Sequence, residues 1–169
     1  MGTKTNTAKV FDFTRKDERE SEKKWGRAVL KLGYSMIPSL IFRAQARLGL
    51  SSTQLVLLLH LADYWWHRDH VPFPSKASLA ERMGLSPRQI QRYLTELEQG
   101  GFITREERYA TNKGQQSNGY NLTGLVEKLR RLEPEFREVK EHAKKQARNV
   151  SKPGGLAVHS PKKSGEQDE

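Results

Sequence analysis

Residues 75–99 have the sequence pattern of two short helices joined by a glycine turn, and this pattern restricts the choice of fold more than any other part of the chain. Ser75 is suited to cap a first helix, which ends at Gly84, a residue that readily adopts the left-handed conformation of a helix C-cap. Ser86 and Gln89 then have the spacing of a capping box at the start of a second helix. The sequence therefore predicts a helix-turn-helix over residues 75–99.

The second helix has one apolar face and is followed by a predicted hairpin. Its apolar side chains recur at i, i+3, i+4 and i+7: Ile90, Tyr93, Leu94 and Leu97. Two glycines end the helix, residues 102–109 alternate like a strand, and residues 120–122 return as its partner after a polar loop. A hairpin in this place, residues 102–122, is the wing of a winged helix-turn-helix. The predicted fold class is mainly α with a small β-hairpin.

Apolar periodicity predicts further helices on both sides of this segment. A helix over residues 17–32 has an apolar stripe that includes Trp25, Val29 and Leu32, and Gly33 stops it. A central helix is apolar nearly all round and is expected to be buried. The other expected elements are a short helix over 39–48, the central helix from a cap at Ser51, Ser52 or Thr53 to an end within 67–70, and C-terminal helices within 124–146.

Composition and charge indicate a basic protein that folds over only part of its length. Apolar residues make up 35% of the 169 residues and charged residues 30%, which is too lean for the whole chain to pack around one core. We expect one domain over residues 17–146, with a disordered arm at 1–16 and a disordered tail at 147–169. The formal net charge is +10, and residues 25–145 hold 19 basic and 12 acidic side chains. This excess in the folded part favours nucleic acid as the partner.

Several protein classes lack support in the sequence. Without cysteine, the chain has no disulfide framework, thiolate zinc site or cysteine nucleophile. No apolar run approaches the ~18 residues of a membrane span, and the first residues lack a signal peptide's apolar segment, so we expect a cytoplasmic protein without membrane contact. Phosphate-binding loops, dinucleotide fingerprints and metalloprotease motifs are missing as well. We expect neither enzymatic activity nor a cofactor.

Two alternative interpretations concern the end of the central helix. Asp63 and His67 have the i, i+4 spacing of metal ligands, but a third and a fourth ligand are missing, so we expect no metal site. The adjacent Trp65 and Trp66 have rings suited to stacking on single-stranded nucleic acid. A helix this apolar is more consistent with at least one of these rings in the core.

The outward face of the second helix carries side chains typical of base recognition. Arginine can form two hydrogen bonds with the edge of one guanine, glutamine can form two with adenine, and the threonine methyl group can contact the methyl group of thymine. The predicted DNA-binding residues here are Ser86, Arg88, Gln89, Gln91, Arg92 and Thr95. Since the first two turns of a recognition helix usually reach the bases, Thr95 ranks below the arginines and glutamines. An ordinary solvated helix face is the alternative.

Further DNA contacts are predicted around this helix. Ser75 and Lys76 can bind a phosphate at the start of the first helix, with an ordinary N-cap as the alternative. The loop over 111–118 has several amides, one lysine and no acid, which suits a minor groove or a phosphate edge. The predicted contacts of this loop are Asn112, Lys113 and Gln115. Arg105 and Arg108 of the preceding strand are also predicted contacts, although Glu106 and Glu107 partly offset their charge.

The sequence also resembles a known family over about residues 20–140. It looks like a bacterial winged helix-turn-helix domain family, and it is similar to the N-terminal DNA-binding domain of plasmid and phage replication initiators. The motifs that carry the resemblance are Trp25-Gly26-Arg27-Ala28-Val29, Met36-Ile37-Pro38-Ser39, Tyr64-Trp65-Trp66, Phe73-Pro74-Ser75-Lys76, Ser86 to Arg92, and Ser117 to Leu122. The resemblance implies bacterial DNA binding, at the nucleoid or on a plasmid or other mobile element.

The predicted function is sequence-specific binding of double-stranded DNA, with the biological role left open. A transcriptional regulator is the main hypothesis, and a plasmid or phage replication-initiation or partition protein is the alternative, each with a partner in the corresponding machinery. A winged helix that only binds proteins would be expected to lack the Arg88 and Arg92 face.

A homodimer is expected, because one recognition helix reads too few base pairs to specify a site. The apolar stripe for this contact is Leu125, Leu129 and Leu132, with the stripe of the 17–32 helix as a second. The equal alternative is that these two stripes pack on each other within one chain.

Overall fold

The computed structural model describes residues 14–67, 69–110 and 114–151, and the chain divides into two units, residues 1–36 and 37–169. Residues 1–13 and 152–169, which are most of the two ends expected to be disordered, lie outside the described residues. In the described part, no helix is both long and apolar enough to cross a membrane.

The described part of the first unit, residues 14–36, contains the helices α1 (Thr14–Trp25) and α2 (Arg27–Lys31). The expectation of one continuous helix is wrong at Gly26, whose φ of 83° lies outside the helical region. Glycine adopts this conformation without the steric cost that a Cβ would impose. α1 also begins before residue 17, within the arm expected to be disordered. Trp25, Val29 and Leu32, the predicted apolar stripe, are exposed.

The second unit begins with a short helix and the central helix of the core, α3 (Ser39–Arg43) and α4 (Ser52–Asp63). α3 ends before the predicted boundary at residue 48, because residues 44–49 form turns. Ser51 caps α4 through a capping box: its hydroxyl accepts from the Gln54 amide nitrogen at 3.2 Å, and its own amide nitrogen donates to the Gln54 side chain at 2.9 Å. The helix buries four leucines, as expected of a central helix. It ends at Asp63, earlier than predicted.

The predicted helix-turn-helix is present as α5 (Lys76–Met83) and α6 (Pro87–Gln99). The Ser75 hydroxyl accepts from the Ser78 amide nitrogen at 3.0 Å and caps α5. Gly84 ends α5 in the left-handed conformation, with a φ of 63°. Three side chains of the predicted apolar face of α6 are buried, namely Ile90, Leu94 and Leu97. These local signals placed both helices correctly.

A wing follows α6 and consists of two short antiparallel pairs. The strands are β1 (Thr104–Glu106), β2 (Tyr109–Ala110), β3 (Gly114–Gln115) and β4 (Gly119–Asn121). β1 pairs with β4, and Arg105 lies opposite Tyr120; β2 pairs with β3 further out along the hairpin. The Tyr120 amide nitrogen donates to the Pro72 carbonyl at 2.8 Å, so the segment before α5 runs beside β4. The fold is a winged helix, mainly α with a small β-hairpin.

One helix of 28 residues, α7 (Thr123–Val150), completes the second unit. The expected separate C-terminal helices are therefore continuous, and Pro134 lies inside α7. The helix also extends past the expected boundary at 146, into the tail expected to be disordered. A proline in this position leaves the carbonyl of Arg130 without its helical hydrogen bond. Pro134 is exposed, so water can reach this part of the helix.

The start of α7 lies directly against the end of α6. The Leu125 amide nitrogen donates to the Phe102 carbonyl at 2.8 Å. A Cβ on Gly124 would clash with the carbonyl oxygen of Gly101, so this approach requires a residue without a side chain. The backbone segments at the two ends of the wing therefore contact each other.

The core of the second unit joins α4, α5, α6, the wing and the start of α7. The largest fully buried side chains of the described residues are Leu57, Leu58, Leu61, Pro72, Leu79, Ile90, Leu94, Leu97, Tyr120 and Leu122. Trp65 is half-buried against this core, and Trp66 is 66% exposed. α3 contacts α7, where the Arg43 guanidinium lies 5.6 Å from the centre of the Phe136 ring.

Candidate nucleic-acid interface

The two arginines of α6 are both exposed, but they differ in their partners. Arg88 forms no hydrogen bond or ion pair with any described residue. The Nε of Arg92 lies 3.7 Å from the Glu96 carboxylate, and its guanidinium lies 5.0 Å from the centre of the Tyr93 ring. Gln54 of α4 donates to the same carboxylate at 2.9 Å and orients it. The first turn of α6 thus presents a free cation, and the second turn presents a cation with an acidic neighbour.

Ser86 and Gln89 close the capping box of α6. The carboxamide oxygen of Gln89 accepts from the Ser86 amide nitrogen and hydroxyl, at 2.9 Å each. The Ser86 hydroxyl in turn lies 3.3 Å from the Gln89 amide nitrogen, which donates to it. A paired contact with adenine needs the oxygen that Gln89 already uses. In this conformation the two residues position the helix rather than offer free groups for base contacts.

Three other residues predicted to contact DNA, Lys76, Gln91 and Thr95, bond to one another, and one of these bonds joins the two helices of the pair. The Lys76 ammonium donates to the Gln91 side-chain oxygen at 2.8 Å, so a residue of α5 is bound to a residue of α6. The Thr95 hydroxyl donates to the Gln91 carbonyl at 3.0 Å. Gln91 and Thr95 are half-buried, and Lys76 is exposed. The structure brings Lys76 and Gln91 together beside the wing.

Arg105 has a different acidic partner from the expected ones. Its Nε donates to Glu98 of α6 at 2.7 Å, its Nη2 donates to the same oxygen, and its backbone nitrogen donates to the other carboxylate oxygen at 3.0 Å. These bonds lower the pKa of Glu98 below its ordinary value, chiefly through the side-chain hydrogen bond. Glu106 accepts instead from Asn121, and Glu107 from the Tyr109 hydroxyl. Arg105 therefore ties the wing to α6.

Arg108 lies on an aromatic ring at the other side of the wing. Its guanidinium is 3.7 Å from the centre of the Phe73 ring, and His70 packs edge-on against the same ring at 5.6 Å. A cation over an aromatic face is attracted by the negative face of the ring. Arg108 has no ion pair with a described residue, so its charge is available for a phosphate.

The remaining predicted contacts are described only in part. The Ser75 hydroxyl is occupied as the N-cap of α5. Asn112 and Lys113 lie outside the described residues. The backbone of Gln115 belongs to β3, opposite Tyr109, and its side chain is not described.

The sequence did not indicate the cleft that separates α6 from the wing. This cleft has a volume of about 220 Å³ and is lined by Lys76, Gln91, Arg105, Gln116, Asn118 and Tyr120. Burial raises the pKa of the Tyr120 phenol. Gln116 and Asn118 belong to the amide-rich loop predicted to contact DNA, but the alternation pattern does not fix which of its amides face α6. Among the described residues, no group of three or more acidic or histidine side chains is placed to hold a metal ion.

A model of the DnaD N-terminal domain family matches residues 37–141, from the segment before α3 into α7. The chain belongs to the DnaD N-terminal domain family. This family is a winged-helix-like domain of DNA replication proteins, so the function of the chain is related to DNA binding and replication. The expected resemblance to a winged-helix replication protein is confirmed at this level. The likeness to plasmid and phage initiators stays a prediction.

Solved structures similar to this DnaD-family chain have low sequence identity to it. The N-terminal domain of DnaD protein from Geobacillus kaustophilus HTA426 is 27% identical, covers 74% of this chain and 96% of its own, and has a TM-score of 0.46. A protein described as a possible transcriptional regulator from Methanosarcina mazei Go1 is 12% identical, with 60% and 82% covered and a TM-score of 0.38. The comparison with curated proteins gives no match. The chain is therefore placed in the DnaD N-terminal domain family by the family model that matches residues 37–141, and not by these structures.

Proposed function

We propose that this protein binds double-stranded DNA during replication initiation, with α6 in the major groove and the wing against the adjacent backbone. The observation that carries the proposal is the free Arg88 on the first turn of a capped, exposed helix, in a chain of a replication-domain family. Arg92 follows one turn later on the same side. Two arginines so placed match the geometry by which a recognition helix contacts guanine edges and phosphates.

The role in replication is favoured over the transcriptional regulator that was the main sequence-based hypothesis. A regulator would use the same side chains, so the geometry of α6 does not separate the two roles. The family match favours replication. Mapping of genomic binding sites tests this choice: clustered sites at an origin support replication, and sites spread over promoters support regulation.

We also propose a homodimer in the cytoplasm, on a site with two-fold symmetry and with a partner from the replication machinery. Leu125 is buried and Leu129 packs on the core of the second unit, so this part of the predicted stripe is not available to a second chain. Exposed apolar side chains remain on both units, among them Leu32 on the first and Val139 on α7. These residues are the proposed contacts between subunits.

The duplex-binding proposal is tested with Arg88→Ala, Arg92→Ala and the double variant. Each single change should weaken binding to an identified site by about 1 to 3 kcal/mol and relax the base preference at one position. The matched control is Arg137→Ala, an exposed arginine on α7, which should bind as the wild type does. Fluorescence anisotropy over a series of salt concentrations gives the affinities. Wild-type affinity in all three α6 variants would show that α6 does not contact the DNA.

A further inference from the structure

Four elements of the second unit contribute to the cleft between α6 and the wing. Lys76 belongs to the start of α5, Gln91 to α6 and Arg105 to β1, and the remaining wall comes from Gln116, Asn118 and Tyr120 of the hairpin. The cleft has a volume of about 220 Å³, so it accommodates one small polar group with its water molecules. It opens beside the helix proposed to enter the major groove.

Hydrogen-bond donors converge on this cleft. The Lys76 ammonium spends one of its three hydrogens on Gln91, which holds the charge at the wall and leaves two hydrogens for a ligand. Arg105 binds Glu98 through Nε and Nη2, and its Nη1 has no bond to a described residue. The Asn118 side chain is half-buried and has no hydrogen bond to a described residue.

The charge of the cleft selects the kind of ligand. None of its lining residues is acidic. Arg105, which lines the cleft, is paired with the Glu98 carboxylate of α6, whereas the Lys76 ammonium has no acidic partner among the described residues. A cation would lack carboxylate ligands here, and an apolar ligand would lack an apolar wall. A group with several acceptor oxygens and a negative charge satisfies the donors.

We propose that the cleft binds one phosphodiester group of a DNA strand that passes between α6 and the wing. This inference rests on the proposed duplex binding and adds the place where the backbone is held. Lys76 and Asn118 donate to the phosphate oxygens from opposite walls, and Gln91 keeps the ammonium in position. Such a contact fixes the register of α6 on the duplex without reading a base.

Two substitutions test the cleft on the full chain. Lys76→Met removes the cation, and Asn118→Asp places a carboxylate where the phosphate oxygen is expected, with almost no change in shape. Each should weaken duplex binding about tenfold at low salt. Lys76→Met should also reduce the slope of log K against log salt by about 0.9, the value for one lost phosphate contact. Asn149→Asp on α7 is the matched control, and its affinity should stay close to that of the wild type.

Neutral methylphosphonate linkages, introduced one at a time into the bound duplex, locate the phosphate. We expect one linkage in each binding site at which neutralisation weakens duplex binding by the wild type but does not weaken duplex binding by Lys76→Met. If the wild type binds duplex and both cleft variants bind it equally well, the cleft proposal is wrong and the proposed function stands. If the wild type does not bind duplex, both are wrong.

Inorganic phosphate distinguishes a backbone phosphate from a free one. The NMR signal of the Asn118 side-chain amide should shift when duplex binds. This shift should be smaller for the duplex in which the contacted linkage is a methylphosphonate. Millimolar inorganic phosphate should shift the signal only weakly. A tight response to phosphate without a response to duplex would assign the cleft to a free phosphate ligand and overturn the proposal.

Discussion

At the residue scale, a few polar side chains determine where α6 begins and what it presents. The capping box of Ser86 and Gln89 was predicted from spacing alone and is confirmed in both of its bonds. It fixes the first turn, so Arg88 occupies an exposed position one residue into the helix. The same two side chains are thereby less available for base contacts. Helix capping and base recognition compete for one glutamine.

Loss of this cap should have a defined effect on stability. Ser86→Ala removes the hydroxyl that accepts from Gln89 and should lower the free energy of unfolding by about 1 kcal/mol. Ser52→Ala is the control, because Ser52 is the first residue of α4 beyond its own cap and should change stability by only a few tenths. Urea denaturation measures both. Equal effects from the two changes would contradict a capping role for Ser86.

The ion pair between Glu98 and Arg105 should make part of the stability depend on pH. The folded state lowers the pKa of Glu98, so the pair stabilises the fold above the ordinary pKa of 4.5, and this contribution is lost as the pH falls through the folded-state pKa. Glu98→Gln should lower the melting temperature at neutral pH. The difference from the wild type should shrink in acid. A difference that stays constant from pH 7 to about pH 3 would rule out this origin.

This ion pair also shows what the sequence alone does not determine at a site. Glu106 and Glu107 are nearest to Arg105 along the chain and were expected to offset its charge. Successive side chains of a strand point to opposite faces, so Arg105 turns towards α6 while Glu106 turns away. The partner of Arg105 therefore depends on how the wing packs on α6. Residue types at the interface were predictable, but their pairing was not.

At the scale of elements, the predictions succeeded where the signal was local. Caps and glycines placed α5 and α6, and alternation placed the wing. Two larger departures from the predictions were the break at Gly26 and the continuity of α7 through Pro134. Glycine permits both helical and non-helical conformations, and water can reach the carbonyl that an exposed proline leaves without its helical hydrogen bond. Neither outcome follows from the residue type alone.

The proline inside α7 gives a test with an internal control. Pro134→Ala should restore the hydrogen bond to the carbonyl of Arg130 and stabilise the helix by up to about 3 kcal/mol. Pro87→Ala makes the same change at the first position of α6, where proline is favoured, and should give no gain. Circular dichroism during thermal unfolding compares the two variants. No gain at Pro134 would show that α7 is already adapted to the proline.

At the scale of the whole molecule, the exposed apolar side chains on both units allow the proposed dimer to be tested by substitution. Leu32 is 91% exposed and Val139 65% exposed, so changing them should not disturb the core of either unit. Leu32→Glu and Val139→Glu should each weaken the proposed dimer, because a charge then replaces an apolar contact. Sedimentation at micromolar concentration measures this, and the exposed Ala46→Glu serves as control. A wild type that is monomeric, also on its DNA site, would contradict the dimer.

The contact between Gly101 and the start of α7 affects which changes of sequence the wing can tolerate during evolution. The two ends of the wing are held together by backbone, through Gly124 and the bond from Leu125 to Phe102, independently of the hairpin between them. Lengthening a loop whose ends are already fixed costs little entropy, only about 0.6 kcal/mol for each doubling. Insertions and deletions at the tip of the wing should therefore be tolerated while α6 stays in place. In related chains, the length and sequence of the tip of the wing can therefore vary without a change in the fold of the domain.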